Sequence, residues 1–304
     1  VEARRFLPAV VQEFPRRNLV AADAMPRFEA AVASSSRLRN SALAEAVLIV
    51  LVYAVFMSII WRQHGSSFAS TWYAHSTASG PQLTLAGYWL AFVSLPIVQF
   101  LMLRWYLWIF AWARFLWQMS RIRLELAPTH PDRAGGLGFL ESSGHIFLMV
   151  AVAHGALAAG PIASLILFKG AALPEFADEL ALVTGWVIDV VFGPLLFFMP
   201  QLVAAKKAGL FEYGRLSERY VREFHAKWLD DRASAKEPLI GSADIQSLAD
   251  LGNAYNVVDG LRLAPISYVA VIRLAVTTLL PVAPLLLTMV PLNELVLKLF
   301  SFVL

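Results

Sequence analysis

The sequence predicts an all-α, polytopic membrane protein with about five transmembrane helices and a cytoplasmic helical hairpin. Of its 304 residues, 58% are hydrophobic and only 15% are charged, and the mean hydropathy is +0.62. These values exceed those of water-soluble domains, which need more polar surface. Two patterns complete the prediction: apolar stretches long enough to cross a bilayer, and an alternation of Lys- and Arg-rich with Lys- and Arg-poor segments.

The candidate spans each have about 20 residues, the length that crosses about 30 Å of hydrocarbon at about 1.5 Å per residue. They lie near residues 42–61, 84–103, 145–168, 182–204 and 268–290. The first four define a transmembrane region at 42–204, and the fifth opens a C-terminal segment at 268–304. Beyond the second span the apolar pattern continues to Phe115, which predicts a helix that leaves the membrane or lies along its surface.

The distribution of Lys and Arg predicts the orientation of the chain. Of the 25 basic residues, 21 lie in segments 1–41, 104–144 and 205–267, whereas the loops at 62–82 and 169–181 hold 2. By the positive-inside rule, the basic N-terminal segment at 1–41 is cytoplasmic and the C-terminus is external. Residues 291–304 are too few to cross again, so we expect an interfacial or re-entrant tail.

Residues 205–267 predict a cytoplasmic cap built as a helical hairpin. Their 9 basic residues are balanced by 9 acidic ones, and apolar residues recur every three to four positions from Leu210 to Trp228. No proline lies between Pro200 and Pro238, so this first helix is expected to run directly out of the fourth span. A second helix is expected after Ser242, a candidate N-cap.

A Gly-rich loop at 127–144 precedes the third span. Its candidate anion-binding residues are His130, Asp132, Arg133, Gly135, Gly136 and Gly138. Glycines let backbone N–H groups approach an anion, and the following helix dipole adds to the attraction. The loop lacks the Gly-Lys-Ser/Thr ending of a P-loop, and glycines that serve backbone geometry alone are the competing interpretation.

Two stretches carry a resemblance to a known family. The segments HPDRAGGLGFL at 130–140 and PLIGSADIQSLADL at 238–251 resemble those of an uncharacterised family of bacterial inner-membrane proteins. The resemblance extends from the second span to the C-terminus. It implies a location in the bacterial inner membrane and implies no activity.

The composition removes several classes of function. The chain has no cysteine, which excludes thiolate metal sites and cysteine nucleophiles, and its formal charge of +3 does not favour nucleic acid binding. We find no HExxH or GxSxG motif, and His145 and His154 do not share a helix face for haem. The sequence therefore predicts no catalytic residue, metal or cofactor, and a haem shared between subunits is the alternative. A lipid-modifying enzyme with His130 and Asp132 at the headgroup level remains an alternative.

Charged or titratable residues inside spans are the strongest functional signal, because they are costly there and usually face a bundle interior or water. The predicted transport path contains His154, Asp189, Arg273, Thr277 and Thr278. At about 1.5 Å per residue, Arg273, His154 and Asp189 lie at successive depths along the membrane normal, about 6 Å apart. We call this series of three residues the ladder. The competing interpretation is that each group binds its own headgroup layer or helix neighbour.

The leading hypothesis is a homo-oligomeric inner-membrane channel or permease for a small ion or solute. Arg273 and the Gly-rich loop favour an anion, with Asp189 gating or pairing. The alternative from another class is a non-transporting scaffold or sensor that docks a partner protein through its cytoplasmic helices. In either case membrane lipids surround the chain.

Overall fold

The all-α, polytopic fold predicted from the sequence is confirmed. The computed structural model describes residues 2–63, 74–77, 80–230, 238 and 242–289. Within these ranges, four helical runs are long and apolar enough to cross a membrane. They are Leu85–Ser120, Leu137–Lys169, Leu173–Leu229 and Tyr268–Thr288. Each overlaps one of the second to fifth predicted spans.

The chain begins with three helices, α1 (Glu2–Arg16), α2 (Met25–Arg39) and α3 (Ala42–Gln63). Helix α3 coincides with the first predicted span. Its apolar portion among the described side chains, Ala42–Ala54, is shorter than the other four runs. The predicted tail at 291–304 lies outside the described residues.

A short antiparallel ribbon follows, made of β1 (Ala74–Thr77) and β2 (Gly80–Leu83), with Ala74 opposite Leu83 and Thr77 opposite Gly80. Helix α4 (Leu85–Trp89) begins at Thr84, whose Oγ1 accepts a hydrogen bond from Gly87 N at 3.0 Å. A π-helical turn then joins α4 to α5 (Leu95–Ser120). At about 1.5 Å per residue this run is much longer than the hydrocarbon core, as the continuing apolar pattern predicted.

The described chain divides into two compact units. One contains Glu29–Phe115, and the other combines Val1–Phe28 with Leu116–Leu304. Inside the first unit, Arg104 Nη2 lies 2.9 Å from Glu45 Oε1, and Ser35 Oγ donates to Ala111 O at 2.9 Å. The ion pair gives Arg104 a protein partner within the unit.

The second unit holds the remaining helices. They are α6 (Leu148–Lys169), α7 (Ala177–Phe192), α8 (Met199–Phe224), α9 (Ala243–Asp259) and α10 (Tyr268–Leu279). Four 3₁₀ segments join or extend them, at Leu137–Phe147 before α6, Leu173–Phe176 before α7, Gly193–Phe198 before α8 and Leu280–Thr288 after α10. The last two begin beside prolines, which cannot donate the backbone hydrogen bond that continues an α-helix.

Helices α6, α7 and α10 pack against one another as a three-helix bundle. The closest approach joins α6 to α10 at Gly155, where an added Cβ would overlap the backbone oxygen of Thr278. Only glycine permits this distance between the two backbones. The crossing fixes the register in which α6 and α10 present their polar residues.

Helices α8 and α9 form the predicted hairpin. Ser242 is the N-cap of α9, as predicted, and its Oγ accepts from Asp244 N at 3.1 Å. Lys227 Nζ and Trp228 Nε1 both donate to Asp244 Oδ2, at 2.8 Å and 2.9 Å. These bonds to Lys227 and Trp228 lower the pKa of the Asp244 carboxyl and tie the end of the first helical run to the start of α9.

The N-terminal helix α1 belongs to the core of the second unit. Phe14 is fully buried, and its ring packs on Phe139 with centroids 5.2 Å apart and on Phe198 at 6.5 Å. Further along, Glu125 N donates to Leu19 O at 2.9 Å. The segment predicted only as basic therefore covers the Gly-rich loop and contributes apolar contacts to it.

Candidate functional site

The Gly-rich loop is organised around its own carboxylate. Asp132 Oδ1 accepts from Ala134 N at 2.8 Å and Gly136 N at 3.2 Å, and Asp132 Oδ2 accepts from Gly138 N at 2.8 Å. His130 Nδ1 lies 2.9 Å from Asp132 Oδ1. The backbone N–H groups that the sequence suggested for a bound anion thus donate to Asp132.

This arrangement determines the charge of the Asp132 carboxyl. Burial raises its pKa, but the hydrogen bonds from Ala134, Gly138 and Gly136, with His130 nearby, outweigh burial and hold the pKa below its usual value. Asp132 is therefore ionised at neutral pH and is a poor proton acceptor for catalysis.

The backbone of the loop requires its glycines. Gly135 and Gly136 have φ values of 65° and 97°, and Arg133 has a φ of 50°. A left-handed conformation is accessible to glycine at little cost and is uncommon for other residues. Gly135 and Gly136 therefore have a backbone geometry that favours glycine whether or not the loop binds a ligand.

A second set of contacts fastens the loop to the start of α10. Arg262 Nη2 donates to Asp132 O at 2.8 Å, and Arg262 Nη1 lies 3.4 Å from Glu141 Oε2. Glu141 also accepts from Ser267, at 2.9 Å from the backbone N and 2.7 Å from Oγ. Arg262 and Ser267 were missed by the sequence argument, since they lie more than 120 positions from Glu141 and no local motif links them.

A small open cleft lies beside this junction, at one end of the three-helix bundle. Its lining combines polar Glu141, His145 and Arg273 with apolar residues that include Leu148, Phe192 and Leu274. Arg273 Nη1 donates to His145 Nε2. Because Nε2 accepts, a neutral His145 ring carries its proton on Nδ1 and can donate from there.

The charges around the cleft are unequal. Glu141 is compensated by Arg262 and by both donors of Ser267. Within the described chain, Arg273 makes no ion pair with a carboxylate, and its side chain is exposed. The cleft therefore carries one positive charge without a matching negative charge.

The other predicted path residues on α6 and α10 are bonded within their own helices. His154 Nδ1 lies 2.7 Å from Val150 O. Thr277 Oγ1 donates to Arg273 O and Thr278 Oγ1 to Leu274 O, each at 2.8 Å. Thr278 is buried at the Gly155 crossing, whereas Thr277 is half-buried one turn beyond Arg273. Arg273 is paired with His145, a residue that the ladder did not contain.

Asp189 lies on α7, one turn before the cleft residue Phe192 and on the same helix face. Its side chain is exposed on the unit, and no ion pair joins it to Arg273. An exposed carboxylate within an apolar helical run is costly where it faces lipid. The direct Asp189–Arg273 contact allowed by the ladder is therefore absent from this single copy.

Comparison of the chain with known protein families, curated proteins and solved structures finds no match.

Proposed function

We propose that the chain is a homo-oligomeric channel or permease of the bacterial inner membrane that moves a small anion along α6, α7 and α10. The uncompensated Arg273, beside His145 in an open cleft, is the observation that supports this proposal. A cation at the end of a helical bundle attracts anions to that end and repels cations. The Lys and Arg distribution supports a cytoplasmic position for the cleft and the N-terminus.

Asp189 supports assembly of several copies. A charged side chain that faces lipid at depth costs roughly 2.5–3.5 kcal/mol by insertion scales. A second copy, or a water-lined path between copies, would remove that cost. Asp189 would then lie close to the path, near enough to pair with or gate the moving ion.

Flux through purified protein in liposomes tests the transport proposal. We expect protein-dependent anion flux that falls several-fold in Arg273→Gln, because the attracting charge is lost. Lys169→Gln is the matched control, since Lys169 is an exposed cation at the opposite end of α6. The proposal fails if wild-type protein carries no anions, cations or protons.

Assembly has its own test, helped by the absence of cysteine from the chain. Asp189→Cys should form disulfide-linked dimers under mild oxidation if α7 lines a contact between copies. Leu167→Cys serves as a lipid-facing comparison, because the Leu167 side chain on α6 is 67% exposed. Equal cross-linking of both variants would indicate random collision in the membrane and would remove the support for a specific oligomer.

A second candidate function is supported by the α8–α9 hairpin. Large apolar side chains remain exposed along it: Phe211 at 67%, Leu216 at 40%, Val221 at 45% and Ile245 at 49%. Exposed apolar positions on amphipathic helices suit a scaffold that docks a partner protein. Purification from native membranes discriminates the two functions. The scaffold requires a second polypeptide in stoichiometric amount that is lost in Phe211→Ser, whereas the channel requires a ring of identical chains.

A further inference from the structure

We infer that the Arg273–His145 cleft binds a phosphate group, either of an anionic lipid headgroup or of free phosphate. This inference rests on the proposed function only in placing the cleft at the mouth of the path, and it names the chemical class of the anion. Three properties of the cleft lead to it: its net charge, its hydrogen-bond donors and its mixed lining.

The first property is a positive charge that no group within the described chain neutralises. Arg262 compensates Glu141, so the carboxylate in the lining does not cancel the charge of Arg273. His145 accepts a hydrogen bond from Arg273 without contributing a negative charge. An anion that enters the cleft therefore meets a net attraction, strengthened by the apolar surroundings.

The second property is a set of donors that suits an anion with several oxygens. Arginine carries five N–H donors in a planar fork, and only one is directed at His145 Nε2. This planar fork matches the separate oxygens of a phosphate better than a single spherical halide.

The third property is the lining. Leu148, Phe192 and Leu274 lie beside the polar residues of the cleft, and ligand sites commonly combine an apolar lining with a few polar groups that orient the ligand. Arg273 follows the start of α10 by five residues, about 8 Å along the helix axis, a depth from which a long arginine side chain can extend towards the headgroups of a bilayer. Basic pockets between transmembrane helices at this level bind lipid phosphates.

The test measures binding to full-length protein that has been delipidated in detergent. Calorimetric titration with sodium phosphate, and separately with sodium chloride, examines the free anion. Thermal unfolding with added phosphatidylglycerol, and separately with diacylglycerol, examines the headgroup, because the two lipids differ in the phosphate. Arg273→Gln should weaken binding of the phosphate-bearing probe by about tenfold or more. Arg273→Lys keeps the charge and loses the fork, so its loss should be smaller, and Lys169→Gln should bind as wild type.

Saturable binding of phosphate alone identifies free phosphate as the ligand, and stabilisation by phosphatidylglycerol alone identifies the headgroup. The inference is overturned if neither probe binds, if chloride binds as tightly as phosphate, or if folded Arg273→Gln and Arg273→Lys proteins bind as wild type. These experiments distinguish a failure of the phosphate-binding inference from a failure of the transport proposal. Flux without phosphate binding refutes this inference and leaves the channel, whereas binding without flux does the reverse.

Discussion

The Gly-rich loop and the Arg273 cleft are adjacent in one unit of the molecule and differ in how far their charges are satisfied. In the loop, three backbone N–H groups surround the Asp132 carboxylate. In the cleft, Arg273 has only the neutral acceptor of His145 within the described chain. The loop resembles an anion site whose anion, the Asp132 carboxylate, is part of the protein, whereas Arg273 in the cleft has no carboxylate partner among the described residues.

This difference shows that converging backbone N–H groups do not by themselves predict binding of an external anion, because a carboxylate of the protein can accept the same hydrogen bonds. Asp132 lies within the same short segment as its donors, so its local concentration is very high compared with any dissolved anion. Arg273 has no acidic residue within four positions on its helix, and the carboxylate nearest to it in the cleft is already engaged by Arg262 and Ser267. We therefore assign the proposed anion recognition to the cleft and not to the loop.

The largest expected effect is a loss of stability at the α6–α10 crossing, which positions the cleft residues and does not involve the Gly-rich loop. Gly155→Ala forces the two backbones apart at Thr278 and should destabilise the protein by about 3 kcal/mol or more, since overpacking at a backbone contact cannot be relieved by a rotamer change. Thermal unfolding in detergent measures it. Gly160→Ala is the control on the same helix, because no atom lies within 4 Å of its added Cβ. Equal stability of the two variants would contradict the crossing.

The next effect tests the loop as a filled anion site. Asp132→Ala removes the acceptor of three N–H groups and should cost about 3 kcal/mol, because half-buried donors lose charge-assisted bonds. Asp132→Asn retains an oxygen acceptor and should cost less. Chemical denaturation of the two variants measures the difference. A mild loss in Asp132→Ala that is reversed by added phosphate would show that an external anion can replace the carboxylate.

A somewhat smaller effect is expected at the turn itself. Gly136→Val places a β-branched residue at a φ of 97° and brings a Cβ within 3.1 Å of Leu19 Cδ2, so we expect a loss of about 2 kcal/mol. His130→Ala, the control in the same loop, removes one contact with Asp132 and should cost about 1 kcal/mol or less. Unfolding curves of the purified variants give both values. A valine variant as stable as wild type would mean that the turn is not constrained.

A weaker effect connects the cleft to Asp189. If both groups face one polar path, Asp189→Asn and Arg273→Gln should show a coupling of about 0.5 kcal/mol in a double-mutant cycle on stability, even though no ion pair joins them. His154→Ala provides a third arm. Strict additivity together with unchanged flux in Asp189→Asn would leave two unconnected charges and remove the path through α7.

The last and smallest effect is a dependence of stability on pH that develops only in acid. Because the folded pKa of Asp132 is depressed, its stabilisation is fully present above the unfolded pKa of about 3.9 and is lost as pH falls towards the folded pKa. The stability difference between wild type and Asp132→Asn should therefore shrink as pH falls below about 4. Urea midpoints measured between neutral and acid pH test this trend. A constant difference would show that Asp132 is not charged in the folded loop.

The helices were predictable because their signals are local. The signals were apolar runs of about 20 residues, few charges, and the absence of proline between Pro200 and Pro238. All of them are properties of short windows, and they predicted α5, α6, α7, α8 and α10. The Ser242 N-cap is equally local. Helix α1 was missed because residues 2–16 carry three arginines and two prolines, which hide the buried face of Val10 and Phe14. The short β1–β2 ribbon lacks an alternating apolar pattern and gave no signal.

The sequence by itself determined the membrane character, the hairpin and the chemical types available to a site, because composition and periodicity act over neighbouring residues. Only the tertiary structure decided which charges remain unbalanced. Arg262 and Ser267 reach Glu141 across more than 120 positions, His145 replaces His154 beside Arg273, and Asp132 occupies its own loop. Charge compensation depends on distances of a few ångströms in space, and distances between remote residues are set by packing at contacts such as Gly155 and Thr278.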